Sequence, residues 1–280
     1  MRSLHSPWVW QAPPEWETAL DAWELFLRAG GRSESTIVTR LRHIRTFARA
    51  CGLAPEEVTE EQLLRWVGAQ RWAPETRHSM YVSLRGFFGC VSRMWGWENP
   101  AASLPMVRRS IPPARSAPEE VLAEALAHTD LRVGMIIRMA AYMGLRCCEI
   151  ARAHRRDLTH DLFGPVLLVR GKGGRHRPVP MPADIYEDFV RITDRTGGWL
   201  FPGKIDGHLS SRWVSKLGAR VLPSPWTMHT LRHRFGTRAY AVDHDIVAVQ
   251  LLLGHSQLTT TQRYVLPAQE ALRRAVDGAA

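Results

Sequence analysis

The sequence predicts a mainly α fold with a small β-sheet (α+β), divided between an N-terminal helical bundle and a mixed C-terminal domain. Three observations predict it. Apolar residues recur at intervals of three and four through residues 15–98, the helical period, without strand alternation. From Asn99 to Pro118 five prolines stop helix propagation and favour an extended connection. Beyond them, one pair of short apolar runs flanks a glycine-rich turn. The expected domains are therefore 1–98 and 118–280, joined by a linker at 99–117, and 280 residues suffice for two ordinary cores.

Taken in order, Trp16, Ala19, Leu20, Trp23, Phe26 and Leu27 form the stripe of a first helix over Glu15 to Ala29. Ser33 can cap a second, with Ile37, Leu41, Ile44, Phe47 and Ala48 on one side and Arg40, Arg42, Arg45 and Arg49 around it. Thr59-Glu60-Glu61-Gln62 is a capping-box pattern before Leu63, Leu64 and Val67. Pro74 opens a fourth helix that turns Met80, Leu84, Phe87, Phe88 and Val91 inward. In the second domain, helices are expected at 118–128, 131–143, 182–194, 209–221, 229–241, 243–253 and 257–266. Val166 to Arg170 and Arg175 to Val179 read as a hairpin around Gly171-Lys172-Gly173-Gly174.

Composition narrows the function. The chain is 45% hydrophobic and 23% charged, and no apolar run approaches the roughly 20 residues of a membrane span. The N-terminus has no apolar signal core, so a cytoplasmic, nucleoid-associated protein is expected. Cys51, Cys90, Cys147 and Cys148 lack metal-ligand or disulfide spacing and read as reduced thiols. A net charge of +10 favours a polyanionic partner. The 37 basic residues are 34 Arg and only 3 Lys, Lys172, Lys204 and Lys216, so a lysine inside a motif is the more informative.

Several short motifs stand out. Arg146 follows Gly144-Leu145 at the end of an apolar helix, with Glu149 three residues on, able to orient its guanidinium. Lys172 sits at the tip of the proposed hairpin, but Gly-Lys-Gly-Gly lacks the spacing of a nucleotide P-loop. His229, Arg232 and His233 share one helix face. The His229–His233 spacing suits a metal, but Thr230 replaces the glutamate of a zinc-protease helix and Arg232 adds a cation, so no metal is expected. Tyr264 lies nine residues after His255, with Thr259, Thr260 and Thr261 between them. Tyr142 and Tyr240 read as core, and Tyr81 and Tyr186 lie far from these boxes.

In this order along the chain, Gly144-Leu145-Arg146 with Glu149, Gly171-Lys172-Gly173-Gly174, His229-Thr230-Leu231-Arg232-His233, Leu253-Gly254-His255-Ser256 and Tyr264 resemble the boxes of the tyrosine recombinase (phage integrase) family. The resemblance covers the catalytic half, and the N-terminal half is similar to the family's SAM-like core-binding bundle. Departures are small: Cys147-Cys148 after the first arginine, and Thr230 after His229. The resemblance implies a site-specific recombinase that breaks and rejoins DNA through a 3′-phosphotyrosine, leaves a free 5′-hydroxyl, and uses no metal, ATP or other cofactor.

It implies catalytic roles for Arg146, Lys172, His229, Arg232, His255 and Tyr264, with Glu149 in support. Charge gathers on the non-bridging oxygens during attack; Arg146, Arg232 and His255 would donate hydrogen bonds there. Tyr264 is the expected nucleophile, Lys172 the acid for the departing 5′-oxygen, and His229 the base or proton-positioning group. Duplex contacts are expected from Arg40, Arg42, Arg45, Arg77, Arg85, Arg108, Arg109, Arg175 and Arg177, mostly to phosphates. The expected partners are core DNA sites alone, further copies of the chain in a tetramer joined by the tail helix near Leu272, Ala275 and Val276, and an accessory directionality factor, with no membrane. An integrase of a phage or mobile element that passes through a Holliday junction is the first expectation. An Xer-type chromosome dimer resolvase is the second, ahead of a type IB topoisomerase or a non-catalytic DNA-binding regulator.

Overall fold

The computed structural model describes residues 11–108, 115–171, 176–254 and 276–279. The chain forms two compact units, Met1–Ile111 and Pro112–Ala280. In the first, four helices surround one core: α1 (Glu17–Ala29), α2 (Glu34–Cys51), α3 (Glu60–Gly68) and α4 (Pro74–Trp95). Trp16, Trp23, Phe47, Phe87 and Phe88 are fully buried there, with Trp16 stacked on Phe87 at 5.8 Å or less from both Phe47 and Phe87. Such offset and edge-on ring contacts add to the burial of large apolar surfaces. Thr59 and Gln62 form the capping box of α3 reciprocally. Ala101 and Leu104, in the stretch expected as linker, are buried in this core.

The second unit holds α5 (Glu119–Ala127), α6 (Leu131–Met143), α7 (Cys147–Ala151), β1 (Leu158–His160), β2 (Pro165–Arg170), β3 (His176–Pro180), α8 (Ala183–Arg195), β4 (Pro202–Ile205), α9 (Ser211–Ala219), α10 (Met228–Asp243) and α11 (Ile246–Leu253). The fold is mainly α with a small sheet, as the sequence predicts. The sheet is antiparallel in the order β1-β2-β3, with Leu167 opposite Val179 and Val169 opposite Arg177. Pro178 and Pro180 are tolerated because β3 is an edge strand of this sheet. The middle of helix α6 is buried, which explains its run of Met135, Ile136, Ile137 and Met139. No helix among the described residues is long and apolar enough to cross a membrane.

Candidate active site

Three chain segments meet around Glu149. Helix α6 ends at Gly144, whose φ of +64° is a left-handed conformation that glycine adopts without strain. The chain then turns into α7, with Arg146 at its N-cap and Glu149 in its first turn. The Glu149 carboxylate accepts the Arg146 backbone N–H at 2.8 Å and Arg146 Nη1 at 2.9 Å. One residue thereby caps α7 and fixes a guanidinium. Glu149 is buried, while the Arg146 side chain is 37% exposed.

Helix α10 brings the second arginine. Thr227 caps it, and Thr230 returns the capping bond by accepting from Thr227 N at 2.9 Å. The threonine after His229 thus starts the helix that carries the site. Arg232, one turn in, is only 3% exposed and lies 3.8 Å from Glu149 Oε2. It donates from Nη1 to Gly144 O and from Nη2 to Leu253 O at 2.6 Å. His229 is exposed on the same helix, and its ring packs edge-on against buried His233 at 4.2 Å.

The third segment is the C-terminal end of α11, where the last carbonyls of a helix lack intrahelical partners. Three successive carbonyls there each meet a different arginine: Leu252 O accepts from Arg177 Nε at 2.8 Å, Leu253 O from Arg232, and Gly254 O from Arg146 Nη2 at 3.2 Å. The negative end of the helix dipole adds to the attraction. Arg177 also grips Glu149 bidentately, at 2.8 and 2.9 Å. Burial pushes the Glu149 carboxyl up, but the hydrogen bond and charge of Arg177, followed by those of Arg146, hold it below the ordinary range.

The structure thus brings Arg146, Glu149 and Arg232 together with the segment that leads into His255. Lys172, His255 and Tyr264, along with Arg109, Arg175 and the tail proposed for self-association up to Ala275, lie outside the described residues; Val276, at its end, is exposed. Three of the arginines expected to meet DNA are engaged within their own unit. Arg177 holds Glu149 and Leu252. Arg77 donates to Val67 O at 2.9 Å and Gln70 O at 2.6 Å, tying down the end of α3. Arg85 binds the carbonyls of Leu104 and Pro105. A guanidinium bonded to partly buried backbone carbonyls would strip them of a donor if it moved to a phosphate. Arg42 and Arg108 are exposed, Arg45 is half-exposed, and Arg40 joins Ser35, Thr39, His78 and Ser79 around a groove of about 440 Å³ between α2 and α4.

Two readings of single residues change. Tyr142 is not core: it is exposed, with the Arg234 guanidinium 5.7 Å from its ring centre. Arg177 belongs to the site, and strand parity carries the signal, since it shares a face with buried Val179 two residues on.

A family model described as the phage integrase family matches residues 116–270. The tyrosine recombinase XerC of Methylobacterium nodulans is 31% identical over 306 residues, covering 95% of this chain and 93% of that protein. The tyrosine recombinase XerA of Thermococcus onnurineus is 29% identical over 283 residues, covering 93% and 94%. Among solved structures, a lambda integrase dimer bound to a COC′ core site is similar with a TM-score of 0.70 and 18% identity, over 88% of this chain and 76% of that one. XerH bound to its difH substrate before cleavage gives 0.66 and 17%, over 92% and 83%. These structural likenesses are likenesses of fold.

Proposed function

Because the chain belongs to the phage integrase family, the tyrosine recombinases, and so to enzymes that break and rejoin DNA, we propose that it is a site-specific recombinase acting through Tyr264. The observation that carries this reading is the meeting of Arg146 and Arg232 around one buried carboxylate, at the end of the helix that leads into His255. Two guanidinium groups fixed by protein contacts are pre-organised for an oxyanion, so little reorganisation is needed when charge develops on a phosphate. Arg146 and Arg232, with His255, take the non-bridging oxygens. The Tyr264 hydroxyl attacks phosphorus, forming a 3′-phosphotyrosyl bond and breaking the bond to the 5′-oxygen, which Lys172 protonates. His229 takes or positions the tyrosine proton. Reversal on a second strand, through a Holliday junction in a tetramer joined by tail helices, completes exchange.

The lambda integrase and XerH structures were solved bound to DNA sites, and the partner we propose is likewise double-stranded DNA, with an accessory directionality factor. Our first reading of the biological role is integration of a phage or mobile element. Relatives named XerA and XerC favour a second, resolution of chromosome dimers. Nicked duplexes of sheared genomic DNA test both. Wild type is expected to trap a covalent adduct and Tyr264→Phe none; an adduct in the variant, or on another residue, defeats the mechanism. The captured sequence then separates the roles, a mobile-element junction supporting integration and a single chromosomal locus supporting resolution.

A further inference from the structure

Arg177 on β3 directs all three of its guanidinium nitrogens inward. Nη1 and Nη2 donate in parallel to the two Glu149 oxygens, and Nε donates to Leu252 O at 2.8 Å. The side chain is 12% exposed. Glu149 also lies against Arg146 and 3.8 Å from Arg232. Facing those two alone, a buried carboxylate would draw their charge onto itself, in competition with any phosphate they bind. A bidentate fork is the strongest way for guanidinium to engage a carboxylate. The third cation therefore does something the other two cannot do while also serving a phosphate.

Its other contact has a second consequence. Leu252, Leu253 and Gly254 are held by Arg177, Arg232 and Arg146 in turn, so β3, α10 and the N-terminal turn of α7 all fix one helix end. Removing Arg177 would strip the first carbonyl of its donor and the carboxylate of its bidentate partner, leaving Glu149 to Arg146 and Arg232.

We infer that Arg177 is a positioning residue of the reaction site, which takes up the charge of Glu149 and anchors the end of α11 so that Arg146 and Arg232 keep their positive charge for a phosphate. This rests on the recombinase reading above. Arg177→Met keeps an aliphatic stem and removes the charge; Arg177→Met combined with Glu149→Gln removes both charges. On nicked duplexes of randomised sequence, with adducts captured covalently, Arg177→Met is expected to slow adduct formation by about tenfold or more while DNA affinity changes little. The double variant is expected to regain much of that loss, which a role in packing alone does not predict. Arg177→Lys, which keeps the charge without the fork, should lie between wild type and Arg177→Met.

Titration of the Glu149 carboxyl carbon by NMR gives a readout independent of catalysis. Its midpoint should move up in Arg177→Met. Wild-type rates in Arg177→Met, no recovery in the double variant, or an unmoved Glu149 midpoint would each overturn the inference. Absence of any adduct from wild type would sink the recombinase reading instead, and the titration would still judge the hold of Arg177 on Glu149.

Discussion

Glu149 is one carboxylate serving Arg146, Arg177 and Arg232, and it is buried. Removing the charge of a buried paired group costs more than the pair contributes, because the remaining ions are left uncompensated. Glu149→Gln is therefore expected to destabilise the protein by about 3 kcal/mol at neutral pH. The pH dependence has a definite sign. The folded carboxyl titrates below its ordinary 4.5, so its stabilisation is complete above that value and is lost as the pH falls through the lower folded one. Thermal melts of wild type should show a steeper loss of Tm below about pH 4.5 than melts of Glu149→Gln; parallel curves would refute this origin. Sequence made Arg146 and Glu149 legible as a pair because they sit three residues apart. Arg177 and Arg232 join them from 28 and 83 residues away, and no local spacing encodes a carboxylate shared across that distance.

At the scale of elements, helix ends rather than helix bodies build the site. Long periodic helices such as α2 and α4 were legible, and so was the α6 exit at Gly144. The five residues of α7 and three of β1 are too few to show a period. The expected helix over 243–253 begins later, because His244 is left-handed at φ 55° and Asp245 caps α11 through Val247 N and Ala248 N. The Gly144 exit supports a second prediction. A Cβ there would sit 2.8 Å from Phe235 Cε1 and 3.0 Å from Leu253 Cδ2, on a backbone of positive φ. Left-handed strain and overpacking together should make Gly144→Ala less stable by about 2–4 kcal/mol. Urea denaturation measures it, and a loss below about 1 kcal/mol would show that Phe235 yields. Gly254, at φ +61°, carries the same constraint against Arg177, whose Cδ a Cβ would meet at 3.0 Å.

For the whole molecule, a net charge of +10 announced a polyanionic partner but could not say which arginines meet it. Helix position alone put Arg42, Arg45, Arg77 and Arg85 in one class, whereas their surroundings divide them. Arg42 and Arg45 lie exposed and half-exposed on α2, while Arg77 and Arg85 hold backbone carbonyls of their own unit. Phosphate contacts release counterions, so each one lost lowers the slope of log affinity against log salt by about one. Replacing Arg42 or Arg45 by alanine should reduce that slope, measured by fluorescence anisotropy on a labelled duplex, and leave the melting temperature nearly unchanged. Arg77→Ala should do the reverse. It strips the Val67 and Gln70 carbonyls of a donor, lowering stability by about 1–3 kcal/mol with the salt slope kept. A variant of Arg77 that melts like wild type but binds with a shallower salt dependence would return it to the DNA-facing surface.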